Sequence, residues 1–193
     1  MHQLVFILLQ DQKNNFMDNK YFEKIRIFDG GMGQELLSKG LISKGTLWSA
    51  SALIEKEFHK LVIDSHISYI NAGADIIVTN NFSARKIRFI QNKVLDKFQY
   101  ANEQAGILAN KAREISKQNI LIAGSLPSQS DTYVEDERSS SEIQYDFEEQ
   151  AKIISPYVDF FYLDVVSSGR EIEIASNIVE KLGKKVVVGI HLK

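Results

Sequence analysis

No cysteine occurs anywhere in the sequence. Disulfides, thiol nucleophiles and any zinc site built on thiolates within the chain are thereby excluded. Proline is nearly as scarce, with two residues, and no Pro/Gly-rich linker divides the chain. Charge of one sign is lacking too: 23 basic against 25 acidic residues leave a net charge of -2. That balance gives no electrostatic reason to expect nucleic acid, and no basic run points to a membrane surface. The apolar run at residues 4–9 is too short to span a bilayer. It lacks the basic flank and small-residue cleavage site of a signal peptide, so a cytoplasmic protein is expected. Met17 offers a second translation start, and residues 1–20 read as a non-native or disordered extension.

What is present suits one sizeable hydrophobic core: 193 residues, 44% hydrophobic and 25% charged. Strand-like runs alternate with helical patterns. Strands are expected at 25–28, 75–79, "NILIAGS", "DFFYLDV" and "KKVVVGI". Helices are expected at about 53–71, 100–117, 141–155 and 171–183. The strands are continuously apolar rather than alternating, which indicates burial on both faces and a parallel α/β sheet. Pattern alone leaves two architectures open, a doubly wound sheet and a closed eight-stranded barrel.

Both architectures place ligands beyond the carboxyl ends of the strands. The polar residues there are Asp29 with Gly30 and Gly31, then Thr79, Asn80 and Asn81, then Gly124 and Ser125, then Asp164 and His191. "DGGMG" is neither a dinucleotide fingerprint nor a P-loop. A tight glycine turn accounts for the glycines, but a carboxylate at the open end of a buried strand needs hydrogen bonds or a ligand. Asn80 and Asn81 suit either an Asx-type turn or a grip on a small polar substrate. Asp29 and Asp164 facing one mouth would suit an ammonium group, a proton relay or a divalent metal. His59 and His66, seven apart on one helix, read as surface or packing residues away from the strand ends.

"FDGGMGQELLSKG", "LWSASAL", "HISYINAGADIIVTNNFSA", "AGS" and the strand ending in Asp164 occur in this order. Together they resemble the homocysteine S-methyltransferase family, from about residue 25 to the C-terminus. The resemblance implies a (β/α)8 TIM-barrel fold, here truncated after about five βα units. It implies methyl transfer from an activated donor to the thiol of homocysteine, giving methionine, with zinc holding the thiolate. By that resemblance Asp29 and Asp164 bind the amino acid's polar end, and with Gly30, Gly31, Asn80 and Asn81 they make up the expected substrate-binding set. Asp164 stands where the family usually carries Glu, and "SLPSQSD" departs from the family's glycine-proline loop. The family's zinc ligands are three cysteines, and this chain has none. The expected partners are homocysteine and a methyl donor. Strands one and five are expected to be open edges, favouring poor solubility or self-association. The competing expectation is a catalytically inactive barrel remnant or amino-acid-binding module.

Overall fold

The computed structural model describes residues 4–8 and 19–190. His191 and Met17 lie outside the described residues. Five strands form one sheet: β1 (Leu4–Leu8), β2 (Ile76–Val78), β3 (Leu121–Pro127), β4 (Phe160–Val166) and β5 (Val186–Ile190). Their spatial order is β1-β5-β4-β3-β2. The pairs from β2 to β5 are all parallel. Helices α1 (Met32–Ser38), α2 (Ser51–Ile54), α3 (His59–Asn71), α4 (Lys86–Gln91), α5 (Phe98–Ser116), α6 (Ser140–Ile154) and α7 (Gly169–Lys181) fill the connections.

Strands β2 to β5 and helices α5 to α7 fall within a few residues of their expected positions. Two expectations are corrected. The run 25–28 is not a strand; it reduces to a single parallel bridge between Phe28 and Ile76. Asp75 explains why the chain still follows β2. Its carboxylate accepts the Ile27 N–H at 2.9 Å, while its own N–H donates to the Ile27 carbonyl at 2.8 Å. The expected helix at 53–71 is also broken, because Glu55 is extended (φ -90, ψ 109) between α2 and the 3-10 turn before α3.

The fifth strand is not an open edge either. β1 pairs antiparallel along it, Leu4 opposite Ile190 and Leu8 opposite Val186. This pairing satisfies backbone groups that would otherwise face water or another chain. The edge left open is the one beside Phe28, where Ile25 is 92% and Ile27 56% exposed.

Two apolar layers sandwich the sheet. The larger lies between sheet and helices, and its fully buried members include Leu36, Phe89, Leu108, Phe147 and Phe161. Each such side chain contributes about 1.5–3 kcal/mol of transfer free energy. On the opposite face Ile76, Ala123, Phe160, Tyr162 and Val187 pack with Tyr21, Phe22 and Phe28. Their rings meet edge-on or tilted, Phe22 and Phe28 on Phe160 and Phe28 on Tyr162 at 5.4 Å. Period-two alternation in β4 sends Phe161 and Leu163 to the helices and Phe160 and Tyr162 to the other face.

Candidate functional site

A cavity of about 970 Å³ opens at the carboxyl ends of the strands. Asp29, Gly30, Gly31, Asn80 and Asp164 all line it. Asn81 does not. Its side chain lies behind the cavity, where Nδ2 donates to Asn102 Oδ1 at 3.1 Å and to the Ser125 carbonyl at 3.0 Å. Asn80 lines the wall while its Nδ2 donates to the Ser49 carbonyl at 3.2 Å.

Asp29 is fixed by backbone. Its N–H donates to the Ile76 carbonyl at 2.9 Å, and its Oδ2 accepts the Val78 N–H at 3.0 Å. Its side chain is 3% exposed. Burial drives its pKa up to about 8, and the like charge of Asp164 pushes the same way; the Val78 hydrogen bond opposes both. Burial raises Asp164 to about 6, against the lowering effect of Ser125 Oγ, which donates to Asp164 Oδ2 at 2.9 Å.

Asp164 is held by an irregular strand. The β4–β5 register shifts between Leu163 and Val166, and Val165 adopts φ 60. A β-branched residue in the left-handed region costs about 1–3 kcal/mol. Such strain is tolerated where it re-aims a side chain at a strand end. Behind Asp164 runs a buried polar chain. Ser125 N–H donates to Thr79 Oγ1 at 3.0 Å, and Thr79 Oγ1 donates to Asn81 Oδ1 at 2.6 Å. Asn102 closes the chain, with Nδ2 donating to the carbonyls of Ala84 and Phe98 at 3.0 Å each. Its Oδ1 accepts from Asn81 and from Gln150 Nε2 at 3.1 Å each.

The cavity walls are aromatic, with Trp48, Phe82 and Tyr162 among them. Trp48 has φ 46 and ψ -122, and its indole lies over Gly33; a Cβ built on Gly33 would be 2.5 Å from the ring. Gly33 of the "DGGMG" motif therefore makes room for an aromatic wall rather than for a phosphate. Arginines complete the rim, each already engaged. Arg26 pairs with Asp75 at 3.5 Å and Arg88 with Asp131 at 3.0 Å. Arg85 Nη1 donates to the carbonyls of Ser128 and Ser130 at 3.1 and 2.9 Å.

His66 is a packing residue, one of the two readings the sequence offered, but it does not lie away from the strand ends: fully buried, its Nδ1 is 3.9 Å from Asp29 Oδ2. The signal was present: His66 is four residues after Val62 and four before Ile70, both on the buried stripe of α3. Trp48 and Tyr162 were missed for a different reason, since nothing local marks an apolar side chain as cavity wall.

Zinc is poorly served by these residues. The chain has no cysteine, and among the described residues no three His, Cys, Asp or Glu side chains group closely enough to hold a metal ion. The residues present do not fit the thiolate-bound zinc that the family resemblance implies.

Strands β2 to β5 run parallel, each reached through a helical connection, and the cavity lies at their carboxyl ends, an arrangement of the barrel-type α/β class. The solved metallated form of the Escherichia coli homocysteine methyltransferase MmuM superposes with a TM-score of 0.75 at 22% identity, covering 87% of this chain and 64% of that one. That likeness supports the TIM-barrel class. A profile of the homocysteine S-methyltransferase family matches residues 26–193, and the chain belongs to that family. One similar protein is an E. coli K12 homocysteine S-methyltransferase, 32% identical over 115 residues, covering 54% of this chain and 35% of that protein. Another is the maize homocysteine S-methyltransferase 1, 36% identical over 64 residues, covering 33% of this chain and 19% of that protein. The chain thus matches about a third or less of the length of these two relatives. Among the described residues no helix is long and apolar enough to cross a membrane.

Proposed function

We propose that residues 21–193 form the homocysteine-binding portion of an S-methyltransferase barrel, with the amino acid's ammonium group held between Asp29 and Asp164. The observation that carries this reading is the pairing of two buried carboxyls on one cavity, both with pKa values driven up mainly by burial. An entering cation relieves the cost of charging both acids. The Asp29 proton leaves as the ammonium arrives, so ligand binding near neutral pH releases a proton. Asn80 and the exposed backbone at Gly30 and Gly31 supply the polar edge for the amino acid's carboxylate. Trp48 and Tyr162 supply apolar wall for the side chain. The volume of about 970 Å³ is at the upper end for a small-molecule site and leaves room for a methyl donor beside the amino acid.

Zinc, when bound in a family member, supplies a thiolate nucleophile; this chain's residues bind and orient the amino acid without it. The cysteine-free composition favours a second reading, in which the chain binds the amino acid but transfers no methyl group. Titration with L-homocysteine separates the site from no site, with Asp29→Asn and Asp164→Asn as controls. Methionine formation from homocysteine and S-methylmethionine or betaine then separates enzyme from binding module. Saturable binding lost in both variants supports the site. Absence of binding rejects it.

A further inference from the structure

Among the described residues, His66 is the most unusual buried group. Both ring nitrogens lack a hydrogen-bond partner, although the side chain is wholly inaccessible. Leaving even one such atom unsatisfied costs about 1–3 kcal/mol, so a fold that keeps an imidazole there needs a reason. A core position on α3 between Val62 and Ile70 would be filled by leucine at no such cost. Burial holds the ring neutral, with its pKa lowered to about 3, so His66 is not a counter-charge for Asp29.

The geometry points to another use. Asp29 Oδ2 is 3.9 Å from His66 Nδ1 and already accepts one N–H, from Val78 at 3.0 Å. A carboxylate oxygen takes two donors. Closing the gap by about 1 Å brings the imidazole into hydrogen-bond range. We propose that His66 is a positioning residue for Asp29, its Nδ1–H being the second buried donor that holds the carboxylate once a cationic amino group occupies the cavity. This rests on the ammonium reading above for the identity of the cation, but ionisation of Asp29 by pH alone calls for the same donor. While the carboxyl carries its own proton, the imidazole is slack. When Asp29 ionises, the oxygen becomes a stronger acceptor and the ring closes on it.

The titratable and charged groups around this pair come from three elements. β4 contributes Asp164 and Tyr162, whose phenol is pushed up by burial and by the charges of Asp164 and Asp29. α3 contributes Tyr69, raised by burial, then by Glu35 and Asp29. α1 contributes Glu35 and Lys39, paired with each other at 2.7 Å, with Lys39 Nζ also 3.5 Å from Ser65 Oγ. His66 faces Asp29 Oδ2 from the buried side of α3.

The test is nitrogen NMR of the His66 ring against pH in the ligand-free chain. Expected is a neutral ring throughout pH 5 to 9, with a step in the Nδ1 signal near pH 8 that matches the Asp29 carboxyl and vanishes in Asp29→Asn. A flat Nδ1 signal, or a step that survives Asp29→Asn, overturns the proposal even if homocysteine binds. Two variants extend the test to ligand. His66→Phe fills the space without a donor and is expected to weaken L-homocysteine about tenfold and to move the pH at which binding rises upward by about one unit. His66→Asn keeps an amide donor and is expected to restore the wild-type pH profile. A purely structural role would lower the melting temperature of His66→Phe while leaving the pH profile unchanged, and that result also overturns the proposal. Failure of wild-type binding with the NMR step intact rejects the ammonium reading alone.

Discussion

Gly33 and Trp48 are in direct contact: the indole occupies the space where any other residue at position 33 would carry its Cβ, 2.5 Å from the nearest ring carbon. Gly33 lies in the first turn of α1, where Ala would ordinarily stabilise the helix by about 1 kcal/mol. Here the steric overlap reverses the sign. Gly33→Ala is expected to displace the ring and lower stability. Trp48 is the chain's one tryptophan, so its fluorescence reports the displacement without labelling. An unchanged spectrum with a raised melting temperature would contradict the contact.

Val165 separates stability from site geometry. Replacing it with Gly removes strain of about 1–3 kcal/mol at the cost of about 0.5–1 kcal/mol of chain entropy. Val165→Gly is expected to hold or raise the melting temperature while weakening amino-acid binding, because Asp164 loses its fixed aim. Loss of stability together with unchanged binding would show that the irregular backbone after Asp164 has no part in the site.

Asn102 is expected to be the costliest polar position. It makes four hydrogen bonds to buried partners, two as donor and two as acceptor. Asn102→Leu removes all four bonds at about 0.5–1.5 kcal/mol each, partly offset by apolar burial, while Asn81 Nδ2 keeps the Ser125 carbonyl and Gln150 Nε2 keeps the Ala84 carbonyl. A loss above about 3 kcal/mol in urea unfolding is expected, and a loss below about 1 kcal/mol would mean the chain of amides is not cooperative.

These residues also mark what can be read from the sequence. Strands β3, β4 and β5 are legible because a continuous apolar run bounded by helix stops suits a buried strand and little else. Asp29 and Asp164 are legible as carboxylates at strand ends. The run 25–28 misleads because Ile25 and Ile27 look like strand residues, yet they have no neighbour on the open side and pairing stops at Phe28. The β1–β5 pairing is illegible for the opposite reason, since its partners are at the two ends of the chain and no local pattern links them. The spacing of His66 from His59 suggests a shared face away from the strand ends, but its spacing from Val62 and Ile70 is the informative one. Asn81 reads in sequence as a twin of Asn80, but alternate residues face opposite ways and only Asn80 meets the cavity.

The open edge predicts self-association. Ile25 and Ile27 expose apolar surface along the outer side of this edge, and such edges pair with a second chain. Concentration-dependent elution on size exclusion is expected, abolished by Ile25→Lys with Ile27→Lys. A wild-type monomer at all concentrations would refute this.

Stability should fall as pH rises. Asp29 is protonated in the folded chain up to about pH 8 but ionises near 3.8 when unfolded. Between those values the folded state binds more protons, so stability is fully present below about pH 4 and is lost progressively toward pH 8. Each pH unit between folded and unfolded pKa values corresponds to about 1.4 kcal/mol. Asp29→Asn should flatten this slope in thermal melts; an identical slope would mean the carboxyl is already ionised at neutral pH.

The decisive measurement is calorimetric titration of L-homocysteine at pH 7 in two buffers of different ionisation enthalpy. Two buried carboxyls closing on an ammonium group predict saturable binding with net proton release, from Asp29 foremost, and loss of that release in Asp29→Asn. Binding with no proton release, or no binding at all, would contradict it.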